Sequence, residues 1–189
     1  MTRQLAIFAS GRGSNAQNII NYFRGHPHVK ISLIVSNNAH AGVLQIAANA
    51  KIPKYILDKK EYFGSGHALM QSLSDHKIDG IVLAGFLLLI PNYLIEKYNG
   101  KMLNIHPALL PKYGGKGMYG MNVHNAVWQN QEKQSGITIH EVNANYDEGN
   151  VIFKATCKLD PLDTPDDIAQ KVHLLEYHHY PVIIEDYFT

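Results

Sequence analysis

The stretch KMLNIHPALLP (101–111) carries Asn104 and His106, two positions apart, at the end of an apolar run that stops at a proline. In a strand, residues i and i+2 point to the same face, so an amide and an imidazole are aimed together. An amide NH2 is a donor for an oxyanion. A protonated imidazole is a second donor and can also transfer a proton. A histidine in that role needs a partner that fixes its orientation and raises its basicity. The loop NYDEGN (145–150) offers Asp147 and Glu148, provided that it folds back toward the strand end; an aspartate before Gly149 is more commonly an ordinary turn residue. No serine or cysteine stands beside His106 to act as a nucleophile. The chemistry is therefore direct attack of one substrate on another, without an acyl-enzyme. His140 lies in an alternating apolar strand, where a satisfied core histidine is commoner than a catalytic one.

A second set of residues, GRGSNA (11–16), follows an apolar run and opens a helical pattern. It matches G-x-G-x-x-A, the dinucleotide fingerprint. A dinucleotide site also needs an acidic residue after the second strand to hold the ribose. That region reads IVSNNAHAG (34–42), with no Asp, Glu or Arg, so NAD is disfavoured and NADP is unsupported. What survives is a site for one phosphate, with the backbone amides of Gly13, Ser14 and Asn15 pointing at the anion from a helix N-terminus. A plain strand-to-helix turn with Ser14 as N-cap accounts for the same residues equally well. Taken with Asn104 and His106, the phosphate reading gives acyl transfer through a tetrahedral intermediate onto a phosphate-bearing acceptor.

Elements must bring these groups together. Strands are expected at 5–10, 29–37, 53–58, 80–86 and around 101–106, with helices at 14–24, 42–50, 67–76 and 92–98. Four β-then-α units in a row predict an α/β fold with a mostly parallel twisted sheet and helices on both faces. In such sheets ligands sit beyond the carboxyl ends of the strands, which puts 11–15, Gly85-Phe86 and 104–107 on one cleft. The pattern then changes. A glycine-rich loop (112–120) precedes a helix at 121–130, and a hairpin-like strand pair is expected at 136–143 and 150–159. A helix at 164–180 starts with Thr164 as N-cap, Pro165 at N1 and acidic Asp166 and Asp167; Pro181 is expected to kink or break it.

The bulk composition narrows the function class. The chain has 189 residues, 46% hydrophobic and 17% charged, enough for one domain with a sizeable core. A net charge of +1 recruits neither nucleic acid nor membrane, and no stretch approaches a membrane span. One cysteine, Cys157, excludes an internal disulfide framework and suits a reducing cytosol. Eleven histidines come without HxxxH or CxxC spacing, so no metal is expected.

The segments GRGSN, VLAGF, LNIHPALLPKY, GITIHEVNANYDEGNVI and KVHLLEYHHYP lie in this order across nearly the whole chain. Together they resemble the phosphoribosylglycinamide (glycinamide ribonucleotide) formyltransferase family. These enzymes of purine synthesis move a formyl group from 10-formyltetrahydrofolate to an amine. The resemblance implies a Rossmann-like formyltransferase fold in one domain (1–189), with a nucleotide-binding half (1–100) and a catalytic and folate-binding half (101–189). It implies that Asn104, His106 and Asp147 are catalytic and that His140 supports them. It assigns Gly13, Ser14 and Asn15 to the acceptor's phosphate, and Glu176, with His173 one helical turn before it, to the ribose. It assigns Phe86, Leu87, Leu88, Leu89 and Ile90, with Asn143, Ala144, Asn145 and Tyr146, to the walls of the pterin pocket.

The chain departs from many relatives in three places. Leu87-Leu88 stands where many carry Met-Arg, although folate contacts there are expected to be largely to backbone. The loop GGKGMYGMNV (114–123) is longer and richer in glycine, and the chain stops soon after the last helix, where many relatives carry a further tail. The expected partners are small molecules, glycinamide ribonucleotide and 10-formyltetrahydrofolate, in a cytoplasmic monomer or homodimer without nucleic acid or membrane. Formyl transfer to methionyl-tRNA would call for an additional RNA-binding domain and a basic patch. A formyltetrahydrofolate hydrolase would need no phosphate anchor. A nucleotide-binding module without chemistry would need no Asn104, His106 and Asp147 set.

Overall fold

The computed structural model describes residues 1–189. Seven strands form one sheet: β1 (Arg3–Phe8), β2 (Val29–Ser36), β3 (Lys54–Ile56), β4 (Gly80–Leu83), β5 (Met102–His106), β6 (Gln134–Glu141) and β7 (Val151–Lys158). Their spatial order is β3-β2-β1-β4-β5-β6-β7. Strands β1 to β5 are parallel. Strand β6 runs antiparallel to β5, and β7 antiparallel to β6. The sheet is thus mostly parallel, as the β-then-α repeat predicts, with the expected strand pair closing one edge.

Helices cover both faces: α1 (Ser14–Tyr22), α2 (Gly42–Asn49), α3 (Lys59–Phe63), α4 (His67–Asp75), α5 (Asn92–Lys97), α6 (Met121–Gln129) and α7 (Pro165–Phe188). Because side chains alternate along a strand, β1 feeds two cores. Leu5 and Ile7 pack with Ile19, Val43, Val127 and Val172 from α1, α2, α6 and α7. Ala6 and Phe8 pack on the opposite face with Tyr62, Leu69 and Leu94 from α3, α4 and α5. That double burial explains the continuous apolar runs of the central strands.

One element was missed and two local expectations are corrected. Helix α3 was not legible as a helix. It is five residues long, and its N-cap Asp58 accepts a 2.8 Å bond from the Glu61 amide, so a cap rather than a periodic pattern defines it. Strand β4 ends at Leu83, not at 86, because the chain leaves the sheet at Gly85, whose φ is +72°. Helix α7 does not break at Pro181 but runs through it to Phe188. A proline leaves the carbonyl four residues earlier without its amide donor. That carbonyl belongs to Tyr177, and the side-chain amide of Asn18 on α1 donates to it at 2.8 Å. A neighbouring helix thus replaces the missing bond, while Pro181 itself is buried.

No helix is long and apolar enough to cross a membrane.

Candidate active site

Strand β5 pairs Asn104 directly with His140 of β6, and His106 with Thr138. Directly opposed residues lie on the same face of a sheet, so register alone brings Asn104, His106 and His140 together. The loop after β6 supplies the carboxylate. It can fold onto β6 because residue 149 is glycine: a Cβ there would lie 1.7 Å from the Glu141 carbonyl oxygen. The Glu141 amide donates to the Asn150 carbonyl at 2.9 Å and fixes the return. Asp147 sits in the left-handed region, φ +58°, which aspartate tolerates better than most residues.

The Asp147 carboxylate is the hub. Its Oδ2 accepts from the Gly115 amide at 2.9 Å and lies 3.4 Å from Nδ1 of His106. Its Oδ1 lies 3.4 Å from the Asn104 amide nitrogen and 3.6 Å from Nε2 of His140. Nδ1 of His140 is 2.7 Å from the Glu141 carbonyl; a carbonyl only accepts, so the proton belongs on Nδ1. Nε2 of His140 is then the acceptor for Asn104, at 3.0 Å. That contact is closer than the 3.6 Å one to Asp147, and it orients the Asn104 amide. Nε2 of His106 donates to the Tyr113 carbonyl at 2.7 Å.

Charge follows environment. His106 is only 4% exposed, and burial pushes its pKa below the ordinary histidine value. The Asp147 carboxylate pulls the other way without offsetting the burial. The expectation from sequence, that a neighbouring aspartate raises this histidine above its usual value, is therefore reversed, since it counted the charge and not the desolvation. For Asp147, burial favours the neutral acid, but the polar groups around it, the His106 ring and the Gly115 amide among them, outweigh it and hold the carboxyl below its usual range. Asp147 is thus an anion beside a histidine that is easily neutral.

The other end of the site is built on α1 and α7. The N-cap of α1 is Gly13, not Ser14, with φ +83° and no side-chain cap. A Cβ at Gly13 would lie 2.8 Å from Cβ of Val43, so α2 packs too close for any other residue. The first-turn amides are therefore left without a capping side chain, the arrangement an anion can use. Asn15 donates its side-chain amide to Oε2 of Glu176 at 3.1 Å, and Nδ1 of His173 is 2.7 Å from the same oxygen. That hydrogen bond to Glu176 raises the pKa of His173. Glu176 itself is 4% exposed.

A cleft of about 660 Å³ joins the two ends. Phe86 to Ile90 form one wall, pinned through their backbone: the Leu87 amide donates to Ser10 at 2.9 Å, and the Leu89 carbonyl accepts from the Tyr62 hydroxyl at 3.1 Å. Leu88 packs against the second core. Asn143, Asn145 and Tyr146 line the facing wall. Ala144 does not line the cleft; it is exposed on the loop. Every other residue that the family resemblance assigned to the site borders this cleft, whereas Glu148, the alternative carboxylate, does not. No cluster of three or more His, Cys, Asp or Glu side chains is arranged to hold a metal ion.

Two features escaped sequence reasoning. The loop 113–115 grips both His106 and Asp147 through backbone groups alone, which leaves no side-chain signature. His124 of α6 also lines the cleft and is buried. Its signal was present: it shares the buried face of α6 with Val123 and Val127, a polar residue on an apolar stripe.

A seven-stranded, mostly parallel sheet with an Asn–His–Asp group at its carboxyl end defines a class of enzyme-like α/β proteins, and the comparisons make the class specific. The family model described as "Formyl transferase" matches residues 3–184, and the chain belongs to that family. The chain is 33% identical over 187 residues to a phosphoribosylglycinamide formyltransferase of Bacillus subtilis, covering 97% of this chain and 93% of that protein. It is 35% identical to a chloroplastic phosphoribosylglycinamide formyltransferase of Arabidopsis thaliana and 36% identical to one of Vigna unguiculata, and spans 64% and 60% of their lengths. Among solved structures, a phosphoribosylglycinamide formyltransferase from Streptococcus pneumoniae superposes with a TM-score of 0.87 at 32% identity, with full coverage of both chains. A glycinamide ribonucleotide transformylase from Geobacillus kaustophilus gives 0.90 at 28% identity, again with full coverage.

Proposed function

We propose that this protein transfers the formyl group of 10-formyltetrahydrofolate to the amine of glycinamide ribonucleotide, a cytoplasmic step of purine synthesis. The observation that carries this reading is the joining of Asn104, His106 and Asp147 at one end of a cleft whose other end is the uncapped N-terminus of α1. A phosphate held at Gly13, Ser14 and Asn15, with the ribose at Glu176 and His173, would direct the acceptor amine toward Asn104 and His106. The pterin would lie along Phe86 to Ile90 and Asn143 to Tyr146, held mostly by backbone groups, which is why leucine at 88 is compatible with folate binding. In this reading residues 1–100 supply most of the phosphate site and residues 101–189 most of the reacting groups.

The amine attacks the formyl carbon, and the carbonyl oxygen becomes an oxyanion. The Asn104 N–H that points at Asp147 is 3.4 Å from its acceptor, long for a hydrogen bond, and is the donor most easily redirected to that oxyanion. His106 supplies the second donor when protonated. Asp147, held anionic, stabilises the imidazolium and helps carry the proton from the attacking amine, through water, to the departing N10 of the folate. Holding both substrates in one cleft supplies much of the rate.

The test is incubation with 10-formyltetrahydrofolate, with and without glycinamide ribonucleotide. Formylated ribonucleotide and tetrahydrofolate should appear together and only when both substrates are present. Tetrahydrofolate and formate appearing without the acceptor would instead identify a hydrolase.

A further inference from the structure

His124 has no part in the chemistry above, yet it is one of the most buried polar side chains in the molecule, at 2% exposure. Its Nδ1 has no hydrogen-bond partner. Buried polar atoms are nearly always paired, and an orphan one is unfavourable, so a ring placed this way at the edge of a cleft invites an outside partner. The same corner holds a second orphan. The Asn15 side-chain oxygen is buried and unpartnered, while its amide nitrogen is committed to Glu176. The His173 ring lies 6.4 Å from the His124 ring, centroid to centroid, and pairs with Glu176.

We propose that His124 is a further acceptor-binding residue, which hydrogen-bonds a ribose hydroxyl of the substrate held beside Glu176. The inference rests on the acceptor reading of the α1–α7 end of the cleft. Chemistry selects a hydroxyl over a phosphate. The corner is rich in acceptors, namely the Glu176 carboxylate and the Asn15 oxygen, and contains a buried carboxylate that repels a second anion. A ligand there must donate. Burial, aided by His173, also pushes the His124 pKa down to about 4, so the ring is neutral and offers one donor and one acceptor nitrogen. That complements a hydroxyl, which both gives and takes a hydrogen bond, and not a phosphate dianion, which favours a cation. A sugar with adjacent hydroxyls can satisfy Glu176 and His124 together.

Calorimetry with glycinamide ribonucleotide and its 2-deoxyribose and 3-deoxyribose analogues tests this, alongside steady-state kinetics. Wild type should bind one deoxy analogue about tenfold more weakly than the parent, the loss expected for one hydrogen bond. His124→Phe, which keeps an aromatic ring without nitrogen, should bind the parent about tenfold more weakly and show little or no further penalty for that analogue. Its KM for the acceptor should rise while KM for 10-formyltetrahydrofolate stays the same and kcat changes little. Deoxy penalties of wild-type size in His124→Phe overturn the proposal, as does a parallel rise in both KM values, which marks a packing role. If His124→Phe does not fold, the ¹⁵N signals of the wild-type histidine rings decide: the parent acceptor should shift the His124 signal and the critical deoxy analogue should not, and an unmoved signal overturns the proposal. Wild type that binds the acceptor but forms no product refutes formyl transfer while leaving the binding arms readable. Wild type that binds no acceptor refutes both.

Discussion

Asp147 concentrates four neighbours on two oxygens: Gly115 and His106 on one, Asn104 and His140 on the other. Replacing Asn104 with alanine removes the donor expected to meet the oxyanion and also leaves Nε2 of His140 unpaired. Turnover should fall by about 10²–10³, with stability lowered by only about 1 kcal/mol. Single-turnover kinetics beside a denaturant titration separates the two effects, and near-normal turnover would remove Asn104 from the mechanism. Asp147→Asn keeps the shape, and asparagine also accepts the left-handed backbone. Without the carboxylate charge, the burial of His106 loses its largest opponent and the pKa falls further. Activity that needs the imidazolium should then decline on the alkaline side at lower pH than in the wild type, read from a pH–rate profile. Because groups acting as a unit share one loss, His106→Ala with Asp147→Asn should be scarcely slower than His106→Ala alone. Losses that multiply would mean that Asp147 works independently of the histidine.

At the scale of elements, two junctions carry the site. The first is the entry to α1. Gly13→Ala puts a Cβ into the left-handed region and within 2.8 Å of Val43 on α2, and the strain of about 1–3 kcal/mol should be relieved by rotating the first turn of α1. Stability should drop by that amount in urea, and affinity for the acceptor should drop with it, since the amides lose their common aim. A variant with full affinity would detach the glycine turn from phosphate binding. The second junction is α1 against α7. The Asn18 side chain replaces the backbone donor that Pro181 lacks. Asn18→Ala should cost about 0.5–1.5 kcal/mol in the natural background. In a Pro181→Ala background the helix can supply its own amide to Tyr177, and the cost of Asn18→Ala should shrink. A double-mutant cycle by urea denaturation reads the coupling, and equal costs in both backgrounds would refute it.

The whole molecule is built on one continuous sheet with its cleft at the carboxyl ends of the strands, lined by residues of loops, strands and helices from Ser10 to Glu176. A ligand in such a cleft ties together segments that are distant in the chain and so stabilises the folded state as a whole. Glycinamide ribonucleotide at 100 times its dissociation constant should add about 2.7 kcal/mol, seen as a rise in melting temperature. The corresponding nucleoside without the phosphate, at the same concentration, should give a much smaller rise if the α1 amides hold the anion. Equal shifts would return GRGSN to a plain strand-to-helix turn.

The chain's own pattern determined the parallel order of the first strands, the edge pair, the capped start of α7 and the shared face of Asn104 and His106. These follow from period-two and helical periodicities and from caps, which are local. The family resemblance, carried by contiguous motifs, was legible for the same reason. Tertiary structure alone decided the rest. Pro181 passes through α7 because Asn18, 159 positions away from Tyr177 in the chain, donates to its carbonyl, and no local rule contains that donor. The short α3 owes its existence to one cap, too little for a periodic signal. His106 lies below its ordinary pKa because desolvation exceeds the pull of Asp147, and desolvation depends on everything packed around the ring. His124 became a candidate for substrate binding only when folding buried it without a partner at the edge of the cleft, because burial and pairing belong to the assembled molecule.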